Sequence, residues 1–186
     1  MNTIKQALQK LDNIDIRKYI YIFPFVALFH ELEEWNILEW HRAVNTGVPD
    51  VTDLHLRTFF IIVSLLQFVL IGISLIPKSR KATYYILIPV MALAMTNGIQ
   101  HLIWLVQLRI YAPGVIFGFF FGVPLSSNIL YRIMKERIVE QWYLIAFGGV
   151  ILAGIVRTLL AGNDLDPAIR NAMLFSKSLS LFLWGE

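Results

Sequence analysis

Apolar residues along this chain fall in long blocks, not in the every-other-residue alternation of a strand or the single stripe of a soluble amphipathic helix. Each block approaches the roughly 20 residues that a helix needs to cross the hydrocarbon core of a bilayer. They predict spans over residues 19–41, 58–76 (closed by Pro77), 84–108, 114–131 and 142–161. The expected fold is therefore all-α, a polytopic transmembrane helix bundle of about five spans. Residues 1–18 carry a different pattern, with Ile4, Leu8 and Leu11 on one side and Lys5, Gln9 and Lys10 on the other. That is the signature of a short helix lying on the membrane surface. The stretch 162–186 reads as a tail, its end from Leu174 to Trp184 apolar enough to touch the interface but too short and serine-broken to span. The expected organisation is an interfacial segment (1–18), a transmembrane helical domain (19–161) and a C-terminal tail (162–186).

Composition agrees. The chain is 57% hydrophobic and only 16% charged, where a soluble domain carries about one quarter charged residues. A net charge of +3 would suggest a nucleic-acid surface in a soluble protein, but here the basic residues gather in the gaps between spans. Residues 1–18 hold Lys5, Lys10, Arg17 and Lys18, and later gaps hold Lys78, Arg80 and Lys81, then Arg132, Lys135 and Arg137. The intervening gaps are poor in Lys and Arg. The positive-inside rule then places the N-terminus in the cytoplasm and the C-terminus outside a plasma membrane, with the lipid bilayer and not a nucleic acid as partner. No cleavable signal peptide is evident. There is no cysteine, which excludes disulfides, thiolate metal sites and a cysteine nucleophile.

Polar residues inside the first span change the picture. Phe29-His30-Glu31-Leu32-Glu33-Glu34-Trp35 puts one histidine and three acids inside an apolar block. Each charge near the middle of a span costs roughly 2.5–3.5 kcal/mol on insertion scales, so these groups must pair, protonate, bind a cation or face water. On a helix His30, Glu33 and Glu34 share one face, His41 falls near the same stripe, and Glu31 points about 100° away. Glu39, near the outer end, is expected to be solvated. Span three offers Asn97 and His101 one turn apart, with Gly98 removing bulk where the two helices would converge; Ser64 and Gln67 of span two line the same space. Gly114, Gly118 and Gly122 recur every four residues and allow close helix approach, and Pro24, Pro89 and Pro124 are expected to kink their spans. His55 reads as a solvated loop residue and Arg157 as snorkelling to the interface. The tryptophans fit interfacial belts or bundle packing.

The order His30-x-x-Glu33-Glu34, then Asn97-x-x-x-His101, then Tyr111-x-Pro113-Gly114 resembles the HXXEE-domain family of small bacterial membrane proteins, over a region from about 20 to 160. The resemblance implies a multi-span membrane protein and marks these eight residues, without implying a substrate. It leaves position 31 free. The string His30-Glu31-x-x-Glu34 invites comparison with zinc proteases, but Glu34 stands where their second histidine would be and Glu31 lies outside the family pattern.

Two imidazoles, carboxylates and an amide at one depth suit a divalent metal, zinc or else iron or manganese. The expected ligands are His30, Glu34 and His101, with Glu33 as general base and Asn97 holding a substrate oxygen or orienting a ligand. The function expected is that of a metal-dependent enzyme, a hydrolase, acting on an apolar or lipid-derived small molecule. The alternatives are a proton- or ion-coupled transporter of small solutes, although the usual transporter signatures are missing, and a structural or interaction protein in which the cluster only bonds helix to helix. No phosphate-cradling loop, nucleophile elbow or dinucleotide fingerprint is present.

Overall fold

The computed structural model describes residues 19–76, 79–162 and 164–185. Among them the chain is helical, with one isolated bridge between Thr46 and Asp164 and no strand. The helices are α1 (Phe23–Glu33), α2 (Ile37–Val44), α3 (Asp53–Leu75) and α4 (Arg80–Leu108). A π-helical segment (Val115–Gly122) then runs directly into α5 (Val123–Glu136), followed by α6 (Gln141–Ala161) and α7 (Pro167–Trp184). Four stretches are long and apolar enough to cross a membrane: α3, α4, the π segment with α5, and α6. They correspond to the second to fifth expected spans. The expected surface helix over 1–18 and the expected stop at Pro77 lie outside the described residues.

The first expected span departs from the pattern. Instead of one helix over 19–41, α1 ends at Glu33 and α2 begins at Ile37, with Glu34 at φ −85°, ψ 2°. The break persists because side chains answer the backbone groups it frees. Arg57 of α3 donates from Nε to the Trp35 carbonyl at 3.3 Å and from Nη2 to Asn36 Oδ1 at 2.8 Å, and its guanidinium lies over the Trp35 ring. A guanidinium 21 or 22 residues away is invisible to helical periodicity. Pro24 does not kink a helix but opens one, in the first turn of α1, where a missing N–H costs nothing. Pro124 likewise sits in the first turn of α5, whereas Pro89 is inside α4.

His55 is buried, not solvated. It closes a capping box at the start of α3, its backbone N–H bonding Thr52 Oγ1 at 3.4 Å while the Thr52 N–H donates to its Nδ1 at 3.1 Å. The tail is a helix as well. Its serines do not break it, because Ser176 and Ser178 donate back to carbonyls of their own helix, at 2.7 Å to Met173 and 3.2 Å to Leu174. Asp166 caps α7 through the Ala168 N–H at 2.8 Å, receives Arg157 Nε at 2.8 Å and accepts from Gln100 Nε2 at 3.4 Å. Arg157 thus pairs within the protein, where snorkelling was expected. These bonds fasten α7 to α4 and α6, and its length packs along α3.

Two apolar cores result. One gathers Ile20, Phe23, Tyr84, Leu87, Met91 and Ile133; the other gathers Ile37, Leu38, Val51, Phe60, Leu165 and Met173. Between them lies a cavity of about 550 Å³, reached by Phe23 and Ala27 of the first core and by Ile37, Phe60 and Met173 of the second. The break in the first helix lies beside this gap.

Replacing Asp166 by Ala removes a helix cap and the partner of Arg157, and should cost about 1–2 kcal/mol, the range of a lost N-cap. Amide hydrogen exchange should accelerate across 167–184 and little elsewhere; uniform acceleration would mean that α7 is integral to global stability.

Candidate metal centre

His30 and Glu34, one turn apart across the end of α1, and His101 of α4 converge at the inner end of the cavity, and all three are buried. His30 Nε2 lies 3.5 Å from Glu34 Oε1, and His101 Nε2 lies 2.7 Å from the same oxygen. One potential ligand atom from each falls within 4.8 Å of the others, so the cluster can hold a metal ion. Tetrahedral zinc, with bonds of about 2.0–2.1 Å, keeps its ligand atoms roughly 3.3 Å apart, and the two distances bracket that value.

The His101 ring supplies the test of fit. Both of its nitrogens are buried; Nε2 lies 2.7 Å from Glu34 Oε1, and Nδ1 has no hydrogen-bond partner among the described residues. A buried ring nitrogen without a partner loses its hydration for nothing, unless a cation takes its lone pair. His30 is held differently. The Gly114 carbonyl, 3.0 Å from Nδ1, can only accept, so Nδ1 carries the proton and Nε2 presents its lone pair. Carbonyl support behind an imidazole is the usual way a metal-binding histidine is oriented. Asn97 Nδ2 donates to that Nε2 at 2.7 Å. Asn97 therefore belongs to the cluster, guarding the nitrogen a cation would use.

Glu33 does not join them. Its carboxylate accepts from the backbone N–H groups of Ile116 at 3.0 Å and Phe117 at 2.9 Å, and from the Tyr111 hydroxyl. It caps the start of the π segment, where unpaired N–H groups favour an anion. Burial and the Glu33 carboxylate push the Tyr111 hydroxyl above its ordinary range, so it stays a donor. The general base expected at Glu33 is thus committed to fixing the loop. Glu31, set aside in the sequence, is buried and lines the cavity, with no hydrogen bond or salt bridge among the described residues. It points away from the His30–Glu34 face as helical geometry requires, but the cavity wraps around α1 and meets it. Only the open space between α1 and α3 reveals this.

The glycines account for how the chain comes so close. Gly114 has φ 91°, and a Cβ there would lie 2.7–2.8 Å from His30 Cε1, His101 Cε1 and Glu34 Oε1. Gly118 also backs onto His30, and Gly98 faces Gly118 and the π segment instead of α1, where it was expected. The π segment is therefore the wedge between α1 and α4. Gln67 lines the cavity as expected; Ser64 is buried elsewhere on α3. Two further residues escaped selection as site residues. His41 lines the cavity with Nδ1 held 2.9 Å from Asn45 Nδ2, and Trp104 packs edge-on against both His41 and His101.

Replacing Gly114 by Ala adds left-handed strain of about 1–2 kcal/mol to overpacking of roughly 1–3 kcal/mol. Thermal unfolding should drop accordingly, and Gly47→Ala, whose Cβ meets no atom within 4 Å, should drop only by the strain. Equal losses in the two variants would remove Gly114 from the site wall.

Comparison with known proteins now has a geometry to refer to. Residues 21–129 match the family model described as a protein of unknown function with HXXEE motif. The uncharacterized protein YrkK of Bacillus subtilis (strain 168) is 27% identical over 157 residues, covering 80% of this chain and 98% of that protein. No solved structure matches. The histidine and second glutamate of the motif join His101 in the buried cluster, its first glutamate caps the π segment, and the chain belongs to the HXXEE family.

Proposed function

We propose that this protein is a membrane-embedded, metal-dependent hydrolase acting on an apolar or lipid-derived substrate, in the plasma membrane with its N-terminus cytoplasmic. The observation that carries this is the His30–Glu34–His101 cluster at the end of an apolar cavity, with His101 buried, its Nε2 against the Glu34 carboxylate and its Nδ1 without a hydrogen bond. Charge alternation along the gaps supports the orientation. Two imidazoles and a carboxylate suit zinc, and iron or manganese accept the same donors. Bound there, a divalent cation supplies Lewis acidity toward a carbonyl oxygen or a water molecule.

The remaining roles fall to the chain's own groups. His30 and His101 bind through nitrogen, His30 in the tautomer that Gly114 fixes. Asn97, whose amide nitrogen lies 2.7 Å from His30 Nε2, would be free to donate to a substrate oxygen if a cation held that nitrogen. Glu31, in place of Glu33, lines the cavity without a hydrogen bond among the described residues and is the carboxyl group left to act as the base. Trp104, Gly114 and Gly118 close the site against bulk water.

Elemental analysis of protein purified without chelator tests the centre. The parent should carry about one equivalent of metal, and His101→Ala and Glu34→Ala should lose it. Glu33→Gln and Asn97→Ala should retain it, because neither side chain is a ligand. A folded, metal-free parent would sink the proposal. With a chromogenic fatty ester as probe, Glu31→Gln should keep its metal and lose about 10²–10⁴ in kcat, the usual weight of general acid–base catalysis. An unchanged kcat would remove Glu31 from the chemistry.

A further inference from the structure

The cavity also specifies what enters it and from where. Of its lining residues, Leu66 of α3 and Leu93 of α4 are 52% and 62% exposed on the outside of the bundle. Each sits near the middle of a helix long and apolar enough to cross a membrane, and α3 and α4 pack as neighbours. A mouth at that level opens onto hydrocarbon, not onto water or headgroups. Gln67 and His41 apart, its walls are apolar from Val90 and Leu70 inward, until the polar end formed by His30, Glu31, Glu34, Asn97 and His101.

Size and charge narrow the occupant. A volume of about 550 Å³ lies in the range that encloses one drug-sized molecule, too small for a lipid with two full-length chains. At the far end Glu31 and Glu34 present carboxyl oxygens, and no Lys or Arg among the described residues lines the space to hold an anionic head. A head that donates N–H or O–H bonds meets acceptors instead. We infer that the ligand is an uncharged single-chain amphiphile with a donor-bearing head, such as a primary fatty amide. It slides in from the bilayer between Leu66 and Leu93, head first toward His30 and Glu34. As an account of the substrate this rests on the proposed hydrolase; as an account of binding it does not need the metal.

Trp104 reports on the cavity because it lines it and is only 5% exposed. Full-length protein would be placed in vesicles containing a chain-brominated fatty amide, the corresponding brominated fatty acid, or a brominated two-chain phosphatidylcholine. Bromine quenches indole at contact, and the Trp104 component is the difference between parent and Trp104→Phe. The fatty amide should quench this component saturably, the other two should not, and Leu66→Phe with Leu93→Phe should weaken the effect by about tenfold. Native mass spectrometry of the parent should retain one fatty amide per chain, which keeps the test standing if Trp104→Phe fails to fold. No quenching or adduct, equal quenching by the acid or the two-chain lipid, or indifference to the double substitution would overturn the inference. Quenching that survives in Glu34→Ala alongside a metal-free parent would uphold the ligand and reject the metal. Stoichiometric metal without quenching would do the reverse.

Discussion

Every part of this bundle answers to one constraint: a group of acids and imidazoles sits where an apolar interior can satisfy few of them. Unpaired polar groups in such surroundings cost several kcal/mol each, and the chain meets the demand with backbone in place of further side chains. Glu33 is bonded by two amide N–H groups of the π segment, and His30 by the Gly114 carbonyl. Both bonds need the segment after α4 to lie against α1, and the glycines at 98, 114 and 118 permit that approach. A π-helical winding at this place fits the tendency of such turns to occur at functional sites.

The same constraint divides the interior. The polar cluster keeps the two apolar cores from merging, and the space between them remains a cavity. Its outer wall includes Ile169, Ala172 and Met173 of α7, so the C-terminal helix belongs to the site's enclosure and is not an appendage. The Asp166 network with Arg157 and Gln100 holds that wall to α4 and α6.

What could be read in advance was whatever depends on local pattern. Apolar length located α3, α4, α5 and α6, and helical spacing paired His30 with Glu34 and Asn97 with His101. The cost of buried charge pointed to the region where His30, Glu34 and His101 converge. What escaped depends on groups far apart in sequence. Arg57 stabilises the break after Glu33, and Asp166 holds α7. Glu33 and Glu31 exchange their expected surroundings because an amide pair more than 80 residues on claims one, and open space meets the other. The family pattern marks Glu33, but its spacing cannot distinguish a ligand from a cap.

The break in the first helix also bears on how the protein is made. At about 1.5 Å per residue, the eleven residues of α1 reach roughly 16 Å, about half the hydrocarbon thickness. A segment so short, carrying two acids with a third at its C-terminal end, is a poor candidate to settle in the bilayer as it leaves the ribosome. Arg57 and the π segment, which satisfy its polar groups, are synthesised later. His30 and Glu34 would then be the last of the cluster to reach their final depth, and its assembly would complete the insertion of the bundle.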